Sequence, residues 1–145
     1  MRQIILALLS WSITLSAYAT EVVRDQGFEV QIQPFPSTFL TQDVAGTYGF
    51  ERSRRQTLIN VVVLEVQADG QARGAVAASV TGFSKNLLGQ TQTLTFREID
   101  EGEEAIYYLA PVRVTSEEEI QIILEVVPEN AKAIDINFKH RVYVD

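Results

Sequence analysis

Apolar and polar residues alternate with a period of two along most of this chain, and that rhythm limits its possible folds more than any other feature. Ile134, Ile136, Phe138, Val142 and Val144 share one parity of the last segment, while Asp135, Asn137, Lys139 and Arg141 take the other. Ile120, Ile122, Leu124 and Val126 repeat the pattern in the segment before. Leu94 and Phe96 alternate with Thr93, Thr95 and Arg97, and Phe28, Val30 and Ile32 alternate with Glu29, Gln31 and Gln33. Successive strand side chains point to opposite faces, so each such run predicts a half-buried strand. INVVVLEV (59–66) and AIYYLAPVRV (105–114) are instead β-branched or aromatic on both parities. Central strands covered from both sides have that composition.

Turn chemistry divides these runs. Asp69-Gly70 reads as a two-residue type I′ hairpin turn, which needs positive φ twice. Asp100-Glu101-Gly102-Glu103 makes another turn, and Glu129-Asn130-Ala131-Lys132 follows Pro128 as a third. Seven strands result, at 28–35, 57–68, 72–83, 91–99, 104–114, 118–127 and 134–144. Hairpin spacing without βαβ alternation predicts an all-β fold, an antiparallel seven-stranded immunoglobulin-like β-sandwich. A closed β-barrel is the alternative. The stretch 36–56 breaks the rhythm, and Thr41-Gln42-Asp43 opens one short helical turn after the first strand, ended by Gly46 and Gly49.

Not all 145 residues belong to the folded domain. Residues 1–19 begin with Met1-Arg2, run apolar from Ile4 to Leu9 and end in Ala17-Tyr18-Ala19, the small-x-small pattern of a secretory signal peptide cleaved near Ala19. Ser10, Ser12 and Thr14 interrupt the apolar run, which falls short of a full membrane span, so the mature chain is not expected to span a membrane. One domain, 20–145, remains. The chain has no cysteine, so its core must hold without disulfides and no lipidated cysteine follows the cleavage site. Loss of Arg2 leaves 11 basic against 19 acidic residues, a net charge of −8. Phosphate binding is driven by basic side chains displacing counterions, so neither nucleic acid nor anionic lipid suits this surface.

Chemistry is thinly represented. A nucleophilic triad needs a base, and the single histidine, His140, shares its parity with Phe138 and Val142 near a strand end. A partly buried structural histidine is the plainer reading. Zinc and copper favour cysteine, histidine and methionine clusters, which one histidine and a lone Met1 do not supply. Asp100, Glu101, Glu103, Glu104 and Glu117–Glu119 do not match the spacing of a calcium loop and read as solubilising charge at strand ends. Arg52, Arg54 and Arg55 form a basic cluster that suits a carboxylate or anion clamp, or plain pairing with the abundant glutamates. In SKNLLGQ (84–90), Gly89 permits a left-handed turn that folds Leu87 or Leu88 back as a plug on the core. The alternative is an exposed patch shared with Phe39, Leu40 and Tyr48.

Several of these stretches carry a resemblance. Ser37-Thr38-Phe39-Leu40-Thr41, Val44-Ala45, Tyr48-Gly49, Arg52-Ser53 and Leu58-Ile59-Asn60-Val61 occur in order, followed by Asn86-Leu87-Leu88-Gly89-Gln90, Phe96-Arg97-Glu98-Ile99 and Glu103 to Tyr108. In these the chain resembles the exported bacterial family catalogued as domain of unknown function 4426, over nearly the whole mature length. The resemblance implies a signal peptide and a periplasmic location in Gram-negative bacteria. It implies no catalytic residue. Because the match is densest in 37–55 and 86–90, it implies either a brace particular to the fold or a shared binding site there.

The expectation is a non-enzymatic periplasmic sandwich, without cofactor, that binds a periplasmic or envelope protein or a peptide. Its surface comprises Phe39, Leu40, Tyr48, Arg52, Arg54, Arg55, Asn86, Leu87, Leu88 and Gln90, converging at one end of the sandwich, with strand addition at an edge as one mode. A small-ligand or anion carrier is the alternative, and a hydrolase ranks behind both.

Overall fold

The computed structural model describes residues 20–102, 105–115 and 117–142. The expected signal peptide at 1–19, together with Glu103, Glu104 and Val144, lies outside the described residues.

Ten strands appear among the described residues: β1 (Glu21–Asp25), β2 (Phe28–Pro36), β3 (Gln56–Val66), β4 (Ala72–Ala75), β5 (Ala78–Asn86), β6 (Thr91–Leu94), β7 (Arg97–Asp100), β8 (Ile106–Arg113), β9 (Glu119–Pro128) and β10 (Ile134–Arg141). One helix, α1 (Gln42–Tyr48), follows a 3-10 turn at Ser37–Phe39. The larger sheet runs β1-β2-β3-β8-β7, with β4 pairing the far part of β3, and the smaller sheet runs β10-β9-β5-β6. All described pairings are antiparallel. The β-sandwich is the fold formed, and the barrel alternative is not.

The seven-strand expectation is corrected in three places. β1 was absent from the expectation; it joins β2 through Gln26 and Gly27, both at positive φ (56° and 81°), the geometry of a type I′ turn. The helical turn therefore follows the second strand rather than the first. The predicted strand 72–83 is two strands in different sheets, β4 on β3 and β5 on β9. Val76 N–H bonds Val63 O at 2.9 Å in one layer, and the next residue's carbonyl, Ala77 O, accepts from Glu129 N at 2.9 Å in the other. The predicted strand 91–99 divides likewise: Leu94 pairs with Gly82 of the smaller sheet, and Arg97 pairs with Leu109 of the larger. Alternation cannot register such a crossing, because the inward side chains stay inward as the backbone changes partners.

The Asp69-Gly70 turn also differs from expectation. Only Gly70 has positive φ (84°), Gly70 N bonds Gln67 O at 2.9 Å, and Asp69 Oδ1 accepts from Gln71 N at 2.9 Å. A five-residue loop built on a type I turn thus joins β3 to β4.

The main core lies between the layers. Val30, Ile32, Ile59, Val61, Val63, Tyr108, Ala110 and Val112 of the larger sheet face Leu94, Ile120, Ile122, Leu124, Val126, Ile134 and Ile136 of the smaller. Burying each Val, Leu or Ile contributes about 1.5–3 kcal/mol, which is how a chain without disulfides holds together. Tyr108 reaches across from the larger sheet, and its hydroxyl accepts from Ala78 N at 2.9 Å, fixing the start of β5 where the chain has just changed layers. Desolvation raises the Tyr108 pKa, so the phenol stays neutral.

Candidate functional site

The two sheets differ on their outward faces. On the larger sheet, β2, β3 and β8 carry Phe35, Leu58 and Leu109 outward, and these are buried all the same. Residues 37–50 form the cover: Leu40 and Ala45 complete a second apolar cluster with Ile99, and Phe39, Tyr48, Phe50 and Tyr107 pack on its margin. Burial, with Glu101 nearby, raises the Tyr107 pKa.

Polar contacts hold this cover in place. Thr41 caps α1, its Oγ1 accepting from Val44 N at 3.2 Å. Gly49, at φ 75°, ends the helix in the left-handed conformation, and the Arg97 guanidinium donates to Tyr48 O at the same terminus. The fully buried Ser37 uses its hydroxyl twice, donating to Ser53 O at 2.8 Å and accepting from Ser53 N at 2.9 Å. Arg52 donates to Thr38 O at 3.1 Å.

Four of the ten residues of the expected surface, Phe39, Leu40, Tyr48 and Arg52, therefore serve the cover. Leu40 is buried, and Phe39 and Tyr48 are half-buried against the second cluster, which overturns a patch shared by these residues with Leu87 and Leu88. Arg52, Arg54 and Arg55 make no ion pair among the described residues, so pairing with glutamates is also corrected. Arg54 and Arg55 are exposed.

The 86–90 stretch behaves differently. Leu87 is 81% exposed and Leu88 85%, so the core-plug reading is wrong. Gly89 does adopt positive φ (83°), as expected, but the turn it permits directs neither leucine inward. The reason lies in Asn86, whose Oδ1 accepts from Leu88 N (3.0 Å) and Gln90 N (2.9 Å), while its Nδ2 donates to Gln90 Oε1 (2.8 Å). Backbone bonds from Gly89 N to Asn86 O and from Asn86 N to Gln90 O close the loop. The result is a stiff finger with two leucines at its tip. An Asn side chain at the first position of a turn has this bonding available to it, and the sequence NLLGQ contains the signal.

Gln92 ties the base of the finger to β8, donating to Arg113 O at 2.7 Å and accepting from Arg113 N at 2.9 Å. Arg113 lies opposite Gln56, the first residue of β3. The finger and the Arg54–Arg55 pair thus share one end of the sandwich, whereas 37–50 lies on an outer face.

The outer face of the smaller sheet bears no comparable cover from the described helix. Phe83 is 39% exposed on it, beside half-buried Ile123. A shallow hollow of about 420 Å³ lies there, lined by Thr81, Phe83, Ile123, Glu125, Asp135 and Asn137 among others. His140 sits half-buried at the inner edge of β10, opposite Ile120, and burial lowers its pKa, which keeps the ring neutral. Glu118 closes its turn by accepting from Thr115 N and Oγ1 at 2.9 and 3.0 Å, a local bracing role.

The chain belongs to the family described as Domain of unknown function (DUF4426), whose profile matches residues 23–145. A solved DUF4426 family protein from Pseudomonas aeruginosa is 33% identical, with a TM-score of 0.74 over 87% of this chain and 96% of that one. Two solved structures of FetP from uropathogenic Escherichia coli are also similar. A copper-bound variant is 11% identical with a TM-score of 0.63, covering 88% of this chain and 97% of its own. The protein as isolated after expression in the periplasm is 12% identical with a TM-score of 0.60, covering 88% and 96%. At such identity these two share the fold alone. No curated protein matches the sequence. Among the described residues, no helix is long and apolar enough to cross a membrane.

Proposed function

We propose that this DUF4426 chain is an exported, non-enzymatic binding module of the periplasm, whose Leu87–Leu88 finger docks into an apolar cleft of an envelope protein. The observation that supports it most is the exposure of both leucines on a loop already fixed by the Asn86 and Gln90 hydrogen bonds. Seating the two side chains contributes about 1.5–3 kcal/mol each. Little is lost to ordering, because the loop is set before the partner arrives. The exposed Arg54 and Arg55 at the same end offer forks for carboxylates on the rim of that cleft. An anionic lipid surface suits the finger less well, since the chain is strongly acidic.

The copper named for the FetP variant does not fit here. Among the described residues no three His, Cys, Asp or Glu side chains converge, and the chain offers one histidine, no cysteine and only Met1. A carrier of anions needs arginines around a hollow, whereas the hollow on the smaller sheet is lined by Glu125 and Asp135.

Photo-crosslinking tests the proposal. A photoreactive side chain at Leu88 is expected to capture one discrete envelope protein in cells, and the same group at Thr93 is not. Leu87→Asp with Leu88→Asp is then expected to weaken binding to that purified protein more than tenfold, with the melting temperature unchanged. Equal affinity of the variant and the unaltered protein rejects the finger as the site.

A further inference from the structure

The smaller sheet presents its outward side chains in rows that run across the strands. The middle row is Thr93, Phe83, Ile123 and Asn137, on β6, β5, β9 and β10. One pleat toward the finger the row is Thr91, Lys85, Gln121 and Lys139. One pleat the other way it is Thr81, Glu125 and Asp135. An apolar, aromatic centre is thus flanked by a basic row on one side and an acidic row on the other. Over the strand lengths the face carries Lys85, Lys139 and Arg141 against Glu119, Glu125 and Asp135, three of each sign, in a chain whose net charge is −7. This neutral face escapes the self-repulsion of the rest of the surface.

We infer that a second copy of this chain packs on this face, forming a two-fold dimer whose axis lies along the Thr93–Phe83–Ile123–Asn137 row. Such an axis reverses the strand direction and lays the basic row of one copy over the acidic row of the other. Lys139 then meets Asp135 of the second copy, twice by symmetry, and Lys85 sits beside its Glu125. Phe83 meets Phe83 at the centre. The hollow lined by Glu125 and Asp135 is the space that the incoming lysine enters. The neighbouring Lys139–Glu119 ion pair, at 4.0 Å with Lys139 71% exposed, is too long and open to hold that lysine back. A two-fold contact of this kind must be self-complementary, and an axis along the strands instead would lay the basic row over the basic row and the acidic over the acidic.

Size sets the strength. Three strands about 30 Å long and the short β6, about 4.8 Å apart, give a face of roughly 500 Å² per copy. A total near 1,000 Å² stands at the threshold of a specific interface, so the dimer is weak, forms at micromolar concentration or above and dissociates on dilution.

Sedimentation equilibrium of the mature chain tests this, with each variant checked for an unchanged fold by circular dichroism. The unaltered protein is expected to show a monomer–dimer equilibrium, and Phe83→Lys is expected to raise the dissociation constant more than tenfold. Lys139→Asp and Asp135→Lys, each alone, are expected to be monomeric, and an equimolar mixture of the two is expected to restore the dimer as a heterodimer. A monomer at every concentration overturns the inference. So does a dimer that survives Phe83→Lys, a mixture that stays monomeric, or a dimer lost with Leu87→Asp and Leu88→Asp instead, since that result places the contact at the finger.

Discussion

Turned outward from the larger sheet, Leu58 has none of its surface exposed; turned outward from the smaller one, Phe83 keeps 39% of its own. Both are large apolar residues at the outward parity of a strand. The difference is made by the connection 37–55 between β2 and β3, which folds over one face and has no counterpart among the described residues on the other. A single rule of alternation therefore yields two kinds of surface, one that became a second core and one that stays available. Where the outward parity is apolar, a β-sandwich either covers it or keeps it for contact.

The contrast is most easily broken by truncation. Leu58→Ala is expected to cost about 2–5 kcal/mol by urea denaturation, as for other fully buried leucines. Phe83→Ala is expected to cost under about 1 kcal/mol at concentrations where the chain is monomeric. Equal costs remove the distinction between the faces. Removing a strut of the cover sharpens it: Arg97→Ala takes a donor from the last turn of α1 and is expected to cost about 1 kcal/mol, with faster proteolysis in 41–50 while cleavage within β9 and β10 is unchanged.

The smallest effect concerns neither face but the edge between the layers. Burial holds the His140 pKa below its ordinary value of 6.5, so the unfolded chain binds a proton in a range where the folded one does not. Stability from this source is complete above about pH 6.5 and declines as pH falls from there through the lowered value. His140→Gln is expected to flatten that limb, seen as a smaller difference in melting temperature between pH 7 and pH 5. A limb of unchanged slope assigns the acid sensitivity to carboxylates.

Much of the sandwich is written in the sequence, because alternation reports which side chains face inward. It says nothing about which strand lies alongside, so the two crossings at Val76-Ala77 and Thr95-Phe96 pass unmarked. β1 escaped because its turn is Gln26-Gly27, less familiar than Asn-Gly but equally able to place positive φ twice. The central positions of β3 and β8 followed from apolar residues on both parities, and the second core is the reason for that composition. For the proposed binding surface, the residue types were visible but not their division of labour. Ser37, Arg52 and Arg97 bond to backbone atoms across 14 to 49 residues of sequence, a relation that no local pattern contains. The finger is the opposite case: Asn86, Gly89 and Gln90 form a self-contained turn, and a weight on Asn86 as a turn former forecasts the outward leucines.

The two shortest passages of the backbone between layers have a mechanical consequence. Because β4 runs into β5 and β6 runs into β7 with two residues between, the sheets are stitched at two seams and cannot slide or peel apart as separate leaves. Melting followed by ring fluorescence and by amide absorbance should trace one coincident curve, with no half-sandwich persisting in between.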